Sequence, residues 1–487
     1  MNATSGRVKS PYLEGNFGPV REEVASDQLQ VIGELPTDMS GMFVRTGPNP
    51  QFEVRNTYHW FGGDGMLHGV RVANGKATYR NRFVRTKAYE REREAGAAIW
   101  NSGLGAPEID NPNGPARGNT ANTAMVWHDG RLLALWEGGD PYEIKLPGLE
   151  TIGPYNYGGK LLHAFTAHPK VDERTGEMLF FGYNSMGMDM SKGAKVPFLQ
   201  YSVASKAGEI VHSTPIDLPT GVMMHDFAVT ERYSIFMNLP YCFSLERAMK
   251  GEDAFKFEPE RGSHFGILPR HATQDRIKWF EAPPCYVFHT LNAFEEGDEV
   301  VLDACRMNSV SLDGIDSNKA IGPETPRMVN KDAQQHLHRW RFNMVTGAVK
   351  EETLDDAASD FPRVNDSLVG YKAQFGYTAR FGSDDGMPKA DAIIKYDLAT
   401  GKNVAHDHGK GRFSGEGVFV PRLGTTAEDD GWIVCYVFDE GTGGSEFVVI
   451  NAQDFAAPPV ARVSLPQRVP YGFHGAWIGD EMMSTQR

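Results

Sequence analysis

Four of the fifteen histidines stand in settings that could hold a metal. They are His168 in FTAHPKVDERTGE, His225 in MMHDFAVTE, His289 in CYVFHTLNAFEEGDE and His474 in PYGFHGAW. In sequence, 57 residues separate the first pair, 64 the second and 185 the third, the last being near three times either of the others. If one blade of a propeller with its crossing loops takes about 60 residues, each histidine falls at a similar phase of a different blade. Side chains at one phase converge on the axis of the ring, where strand ends hold ligands more firmly than loops do. Neutral imidazoles serve iron, zinc, copper and nickel about equally, and the pattern of two histidines and one carboxylate common in non-haem iron sites is not evident. A lone histidine in an apolar run usually reads as a packed core residue, and spacing by itself leaves that reading open for each of the four.

The elements that would position them are short. The recurring unit is a β-rich run, a glycine-containing turn and a second β-rich run: GVRVANGKATYRNRFV, AMVWHDGRLLALWE, EEGDEVVLDACRM and RWRFNMVTGAVKEETL are examples. Asn-Gly, Asp-Gly and Thr-Gly between apolar runs signal hairpins, because such turns need positive φ. With 53 glycines and 29 prolines in 487 residues, the composition suits many short strands rather than a helical bundle. Helix candidates are few: Tyr89–Ala98 and Leu245–Lys256. Residues 101–117 and 186–195 read as loops. Evenly spread hairpins predict an all-β chain, with a propeller as one solution and packed sandwiches as the other. No linker longer than a loop interrupts the chain, which predicts one domain over residues 1–487.

The apolar share of 40% supports a large core. The net charge of −14 excludes a duplex nucleic-acid binder, which needs a basic face, and disfavours attraction to anionic lipid by charge alone. Cys242, Cys285, Cys305 and Cys435 form no CxxC pair, so neither a zinc motif nor a disulfide framework is expected. The N-terminal stretch has no apolar core of a secretory leader, and no run of about 18 apolar residues occurs. A soluble, cytoplasmic protein is expected.

The motifs also resemble a family. GMFVRTGPNP over residues 41–50, HWFGGDGMLHG over His59–Gly69, NTAMVWHDGRLLALWEGGDPYEI, the four histidine segments and VPYGFHGAW together resemble the carotenoid cleavage oxygenases. That family includes apocarotenoid oxygenases, lignostilbene dioxygenases and the retinoid isomerase of the eye, and the resemblance runs over nearly the whole chain. It implies a seven-bladed β-propeller with a loop and helical cap over an axial iron(II), held by His168, His225, His289 and His474. Three acids are implied as partners of those histidines: Glu137, Asp360 and Glu416. Asp360 departs from the glutamate many members carry, so its shorter side chain must bond directly or through a water. Thr123 matches a threonine beside one open position of the metal. Trp136 stands where the phenol-cleaving branch carries a lysine that grips a phenolate, and a tryptophan packs along an extended polyene instead. Phe61 is expected in the same tunnel. His59, His68, His163, His336, His338, His406 and His408 are assigned to structure, with His406 and His408 in a loop.

The resemblance implies a dioxygenase that splits one conjugated C=C bond of a carotenoid or apocarotenoid with O2 into two carbonyl products. The alternatives are cleavage of a stilbene or phenylpropene by the same chemistry, a retinoid-type isomerase, and a propeller that binds without iron. A carotenoid substrate partitions into bilayers, so a peripheral membrane contact through an apolar rim is an expectation. Residues 186–190, 196–199 and 241–243 are the candidates. Oligomeric state is not readable.

Overall fold

The computed structural model describes residues 10–102, 108, 110–114, 118–183, 188–189, 194–195, 197–250, 252, 254–312, 334–382 and 387–487. The hairpin signals become tight turns. Asn74 and Gly75, at φ 51° and 69°, join strand Gly65–Ala73 to Lys76–Phe83. Asp129 and Gly130, at φ 52° and 69°, join Ala124–His128 to Arg131–Leu135. Paired positive φ values match the twist of antiparallel strands, which is why these dipeptides recur.

Seven antiparallel sheets of four to six strands follow one another as the blades of a propeller. We number them in chain order by their innermost strands. Blades 2 to 6 start on Ala124–His128, Lys170–Asp172, Ala228–Val229, Tyr286–Glu296 and Ser359–Arg363. Blade 7 is built on Val418–Pro421 and Gly431–Asp439, and takes an outer strand, Val31–Gly33, from near the start of the chain. Blade 1 takes its innermost strand, Gly475–Gly479, from near the end, paired to Gly41–Pro48. The ring is therefore sealed twice, once by each end region of the chain.

Large apolar side chains fill the spaces between blades. Trp340, Phe265 and Phe342 pack between blades 4 and 5, and Phe43, Tyr436 and Phe447 between blades 1 and 7. Trp340 and Phe43 are almost wholly shielded from solvent, and burying aromatics of this size contributes roughly 2–3 kcal/mol each.

Helices are sparse among the described residues. Lys87–Ala95 is the longest helix, nine residues, capped by the Thr86 side chain and ended by Gly96 at φ 69°. It starts two residues before the expected Tyr89 because Thr86 supplies the cap, and Gly96 stops it short of Ala98. The expected helix over Leu245–Lys256 is a correction: only Leu245–Met249 is helical, and Phe255–Phe257 pairs as a strand with Tyr241–Phe243. Its alternating Phe-Lys-Phe favours a strand over a helix.

That pairing also removes Tyr241–Phe243 as an exposed rim, since Tyr241 and Cys242 are buried in the core. The loop over 186–195 holds a short hairpin of Met188–Asp189 with Ala194–Lys195, and its remaining residues, with Val196, lie outside the described set. His406 is a second correction: it lies on strand Lys402–Asp407, and it and His408 beyond it are buried and bonded to the Phe455 carbonyl and the Ser414 hydroxyl. His336 and His338 share a strand as expected. Among the described residues no helix is long and apolar enough to cross a membrane.

Candidate metal centre

Every blade places one site residue at the start of its innermost strand. In blade order from blade 2 these are Thr123, His168, His225, His289, Asp360 and Glu416, with His474 from blade 1. Glu137 arrives differently, two residues after the second strand of blade 2, Arg131–Leu135. An antiparallel neighbour ends where the first strand begins, so Glu137 lies at the same end of the ring. His289 is aimed by a bulge: the pairing of Tyr286–Glu296 skips between Val287 and Thr290. Bulges commonly re-aim side chains in this way beside active sites.

The four histidines meet on the axis. His168 Nε2 lies 2.9 Å from His225 Nε2, and His289 Nε2 lies 3.1 Å from His474 Nε2. All four ligand nitrogens fall within 4.8 Å of one another. Three of the rings give their other nitrogen to an acid. His225 Nδ1 donates to Glu137 at 2.7 Å, His289 Nδ1 to Asp360 at 2.9 Å and His474 Nδ1 to Glu416 at 2.9 Å. Asp360 thus bonds directly, with no bridging water needed.

Those bonds place the proton on Nδ1 and leave the Nε2 lone pairs facing one another. Lone pairs converging at such distances repel unless a cation sits among them, so the donor set fits a metal, and a ligating imidazole that donates its other N–H to a carboxylate is the usual arrangement. Burial and the neighbouring imidazoles push His168 well below the ordinary histidine range, and burial lowers His474, which favours the neutral ligand form. Burial acts the same way on His289, but Asp360 outweighs it and raises that group.

The acids are themselves held. Burial would raise Glu416, yet the Arg363 guanidinium, His474 and the Gly475 N–H bring it down to about 2. Arg363 reaches Glu416 at 3.3 Å and the Gly475 carbonyl at 3.1 Å, and grips Asp366 with its other nitrogen. Glu137 accepts a second hydrogen bond, 2.9 Å, from the Tyr183 hydroxyl. Asp360 accepts one from the Phe361 N–H at 2.9 Å. Phe361 sits at φ 53°, a strained conformation for an aromatic residue, and its ring faces His289 and His474 at 5.5 and 5.2 Å.

A cavity opens onto the histidines. Its walls are aromatic and apolar: Trp60, Phe61, Trp136, Met223, Phe288, Phe361, Phe381, Pro388 and Phe473. Trp136 and Phe61, expected in the tunnel, both line this cavity. His59 fixes the turn Trp60–Gly62 by accepting from the Phe61 N–H at 3.1 Å, a structural role as expected. Thr123 also lines the cavity, its hydroxyl donating to Asn122 at 2.9 Å while its carbonyl accepts from the His474 N–H at 3.0 Å. Asn122 in turn holds the Phe61 and Gly63 carbonyls.

Among the described residues Gln335 is the one amide on the wall. It is 6% exposed, and among the described residues its side chain has no hydrogen-bond partner. Sequence reasoning missed Gln335, Tyr183 and Arg363, none of which carries a local motif. It also passed over Asp226, although that residue follows His225 directly.

Comparison with known proteins agrees with this geometry. The profile described as retinal pigment epithelial membrane protein matches residues 17–479. The carotenoid 9,10(9',10')-cleavage dioxygenase 1 of Arabidopsis thaliana is 41% identical over 512 positions, 98% of this chain and 91% of the relative. The isoeugenol monooxygenase of Pseudomonas putida is 33% identical, over 96% of this chain and 98% of that one. Among solved structures, the lignostilbene dioxygenase of Pseudomonas brassicacearum superposes with a TM-score of 0.87 at 29% identity, covering 98% of this chain and all of the other.

Proposed function

The chain belongs to the carotenoid cleavage oxygenase family, that of the retinal pigment epithelial membrane protein, and on that premise we propose that it is a non-haem iron(II) dioxygenase acting on a carotenoid or apocarotenoid. It splits one conjugated C=C bond with O2, one oxygen atom going to each of two carbonyl products. The observation that carries the reading is the meeting of four imidazoles at the inner end of an aromatic cavity. His168, His225, His289 and His474 would hold the metal, and Glu137, Asp360 and Glu416 would fix three of the rings. Iron(II) bound there would supply the one-electron chemistry that lets O2 react with an alkene.

The protein's share is binding, orientation and exclusion of water. Four neutral ligands leave the metal its full positive charge. The aromatic walls take an extended apolar chain and keep water from the reacting centre, and they set how far the polyene slides before one bond meets the metal. Thr123 stands between the cavity and the backbone of His474, where it would narrow access on one side. No side chain is required as a nucleophile or general acid. We further treat residues 1–487 as one domain, since blades 1 and 7 are incomplete without strands from both end regions.

Cleavage of a stilbene or phenylpropene is the second reading, supported by the isoeugenol and lignostilbene relatives. Against it, no lysine or tyrosine lines the cavity among the described residues, and the Thr123 hydroxyl is already donated to Asn122, so a phenolate would find no ammonium or phenol to bond. Aerobic incubation of the iron-loaded protein with carotenoids, apocarotenals, 4-hydroxystilbenes and isoeugenol, with products read by mass, tests the choice. Apocarotenal or carotenoid cleavage with the higher kcat/KM is expected. A preference of tenfold or more for isoeugenol would overturn the substrate assignment and leave the metal chemistry standing.

A further inference from the structure

We propose that Asp226 is a positioning residue for the metal, a buried carboxylate that ties together the chain segments carrying three of the four histidines. It follows His225 directly and is 1% exposed. Its Oδ1 accepts from Lys170 Nζ at 2.8 Å and from the Phe227 N–H at 2.7 Å. Its Oδ2 accepts from the Thr290 N–H at 2.8 Å, and the Thr290 hydroxyl lies 2.9 Å away. Lys170 stands two residues after His168, and Thr290 stands one residue after His289. One side chain therefore bonds blades 3, 4 and 5 together within two residues of a histidine on each.

The placement matters because blades are separate sheets. Each strand start is fixed within its own sheet by ladder bonds, but nothing in a ladder sets the distance between histidines on different blades. At His289 the ladder is also interrupted by the bulge, and Thr290 gives its N–H to Asp226 as the pairing resumes. A Lys–Asp pair with a buried carboxylate is a poor source of net stability, because desolvation offsets most of the attraction. Its bonds are better spent on geometry, and ligands must be held to within about 0.5 Å for a productive site. Asp303 with Arg339 offers the contrast: a buried, two-pronged pair at 2.7 and 2.8 Å within blade 5, its side chains hydrogen-bonded among the described residues to none of the segments carrying His168, His225, His289 or His474.

The inference rests on the four-histidine reading of the site, and the test separates the two. Asp226→Asn, Asp303→Asn and the parent would be loaded with cobalt(II) as a coloured probe. Metal affinity by competition, the ligand-field spectrum and the melting temperature of the metal-free protein would then be measured. Asp226→Asn should bind metal about 10–100-fold more weakly, as removal of an outer hydrogen-bond partner does, with an altered spectrum. Asp303→Asn should melt earlier with spectrum and affinity unchanged. If Asp226→Asn fails to fold, Lys170→Gln should show the same spectral change with a smaller loss of affinity. Parental affinity and spectrum in the folded Asp226 variant, or in Lys170→Gln where that one must serve, overturn the inference alone. An equal change in Asp303→Asn does so too. A parent that binds no metal overturns the four-histidine reading and this inference with it.

Discussion

Gly138→Ala should impair turnover through a ring it does not contain. A Cβ added at Gly138 would lie 2.3 Å from two carbons of the Trp136 six-membered ring and 2.9 Å from a third. Ordinary contact begins near 3.4 Å, so the indole must recede by about 1 Å. Gly138 is exposed and does not have positive φ, so alanine costs the backbone little. Trp136 lines the cavity, and a misplacement of about 1 Å at a positioning group can cost roughly 100-fold in rate, or about 2.7 kcal/mol.

The assay is kcat/KM for an apocarotenal together with iron content and the masses of both products, since a displaced wall can shift which bond meets the metal. Trp136→Ala alone should lose at least tenfold, as large-to-small aromatic changes remove on the order of a few kcal/mol of contact. In the double variant Trp136→Ala/Gly138→Ala the second change should be silent. Gly138→Ala indistinguishable from the parent, or equally costly with and without the indole, would refute the reasoning.

His225→Ala should fold but lose most of its iron and all turnover, whereas Glu137→Gln, which keeps the shape but not the charge facing His225 and Tyr183, should lose about 10–100-fold in affinity or activity; metal analysis and steady-state rates decide both. Gln335→Leu should reduce kcat/KM for substrates bearing a hydroxyl or carbonyl oxygen by roughly tenfold while sparing the parent hydrocarbon, because among the described residues its amide is a polar group on the wall with no hydrogen-bond partner; equal effects on both would discount a contact to substrate oxygen. Glu416 is depressed to about 2, so its stabilisation is complete above the ordinary glutamate range near 4.5 and is lost as pH falls through 2. Arg363→Met should raise that group, giving lower stability at neutral pH and a flatter stability profile between about pH 2 and 4.5 in denaturant titrations.

How much of this was legible in the sequence depends on the range of the signal. The hairpins were, because Asn-Gly and Asp-Gly carry their φ requirement locally. The four histidines share a phase that reflects blade length, but spacing alone left each readable as a packed core residue, and only the resemblance assigned them as ligands. Glu137, Asp360 and Glu416 came only from resemblance: a lone acid carries no local mark, and Glu137 does not even share the phase of the others. Tyr183 and Arg363 escaped because each bonds across a blade boundary, which one sequence does not reveal, and Gln335 because a lone amide carries no local mark. His406 was assigned to a loop because the glycines after it at 409 and 411 mask a strand that ends at Asp407. The strand at Phe255–Phe257 was hidden by the helix-like stretch before it.

The seal of blade 1 has a consequence for how the ring comes apart. His474 adjoins Gly475–Gly479, the strand that zips the end region of the chain onto Gly41–Pro48. A metal held by His474 and by three histidines on other blades would thus be a clasp across the seam. Its binding energy adds to closure by linkage, since an open ring has lost one ligand. Stripping the metal should loosen the seam before any other part of the propeller, and faster amide exchange over 475–479 than over the inner strand of blade 5 would record it. The active centre would then double as the fastener of the fold that builds it.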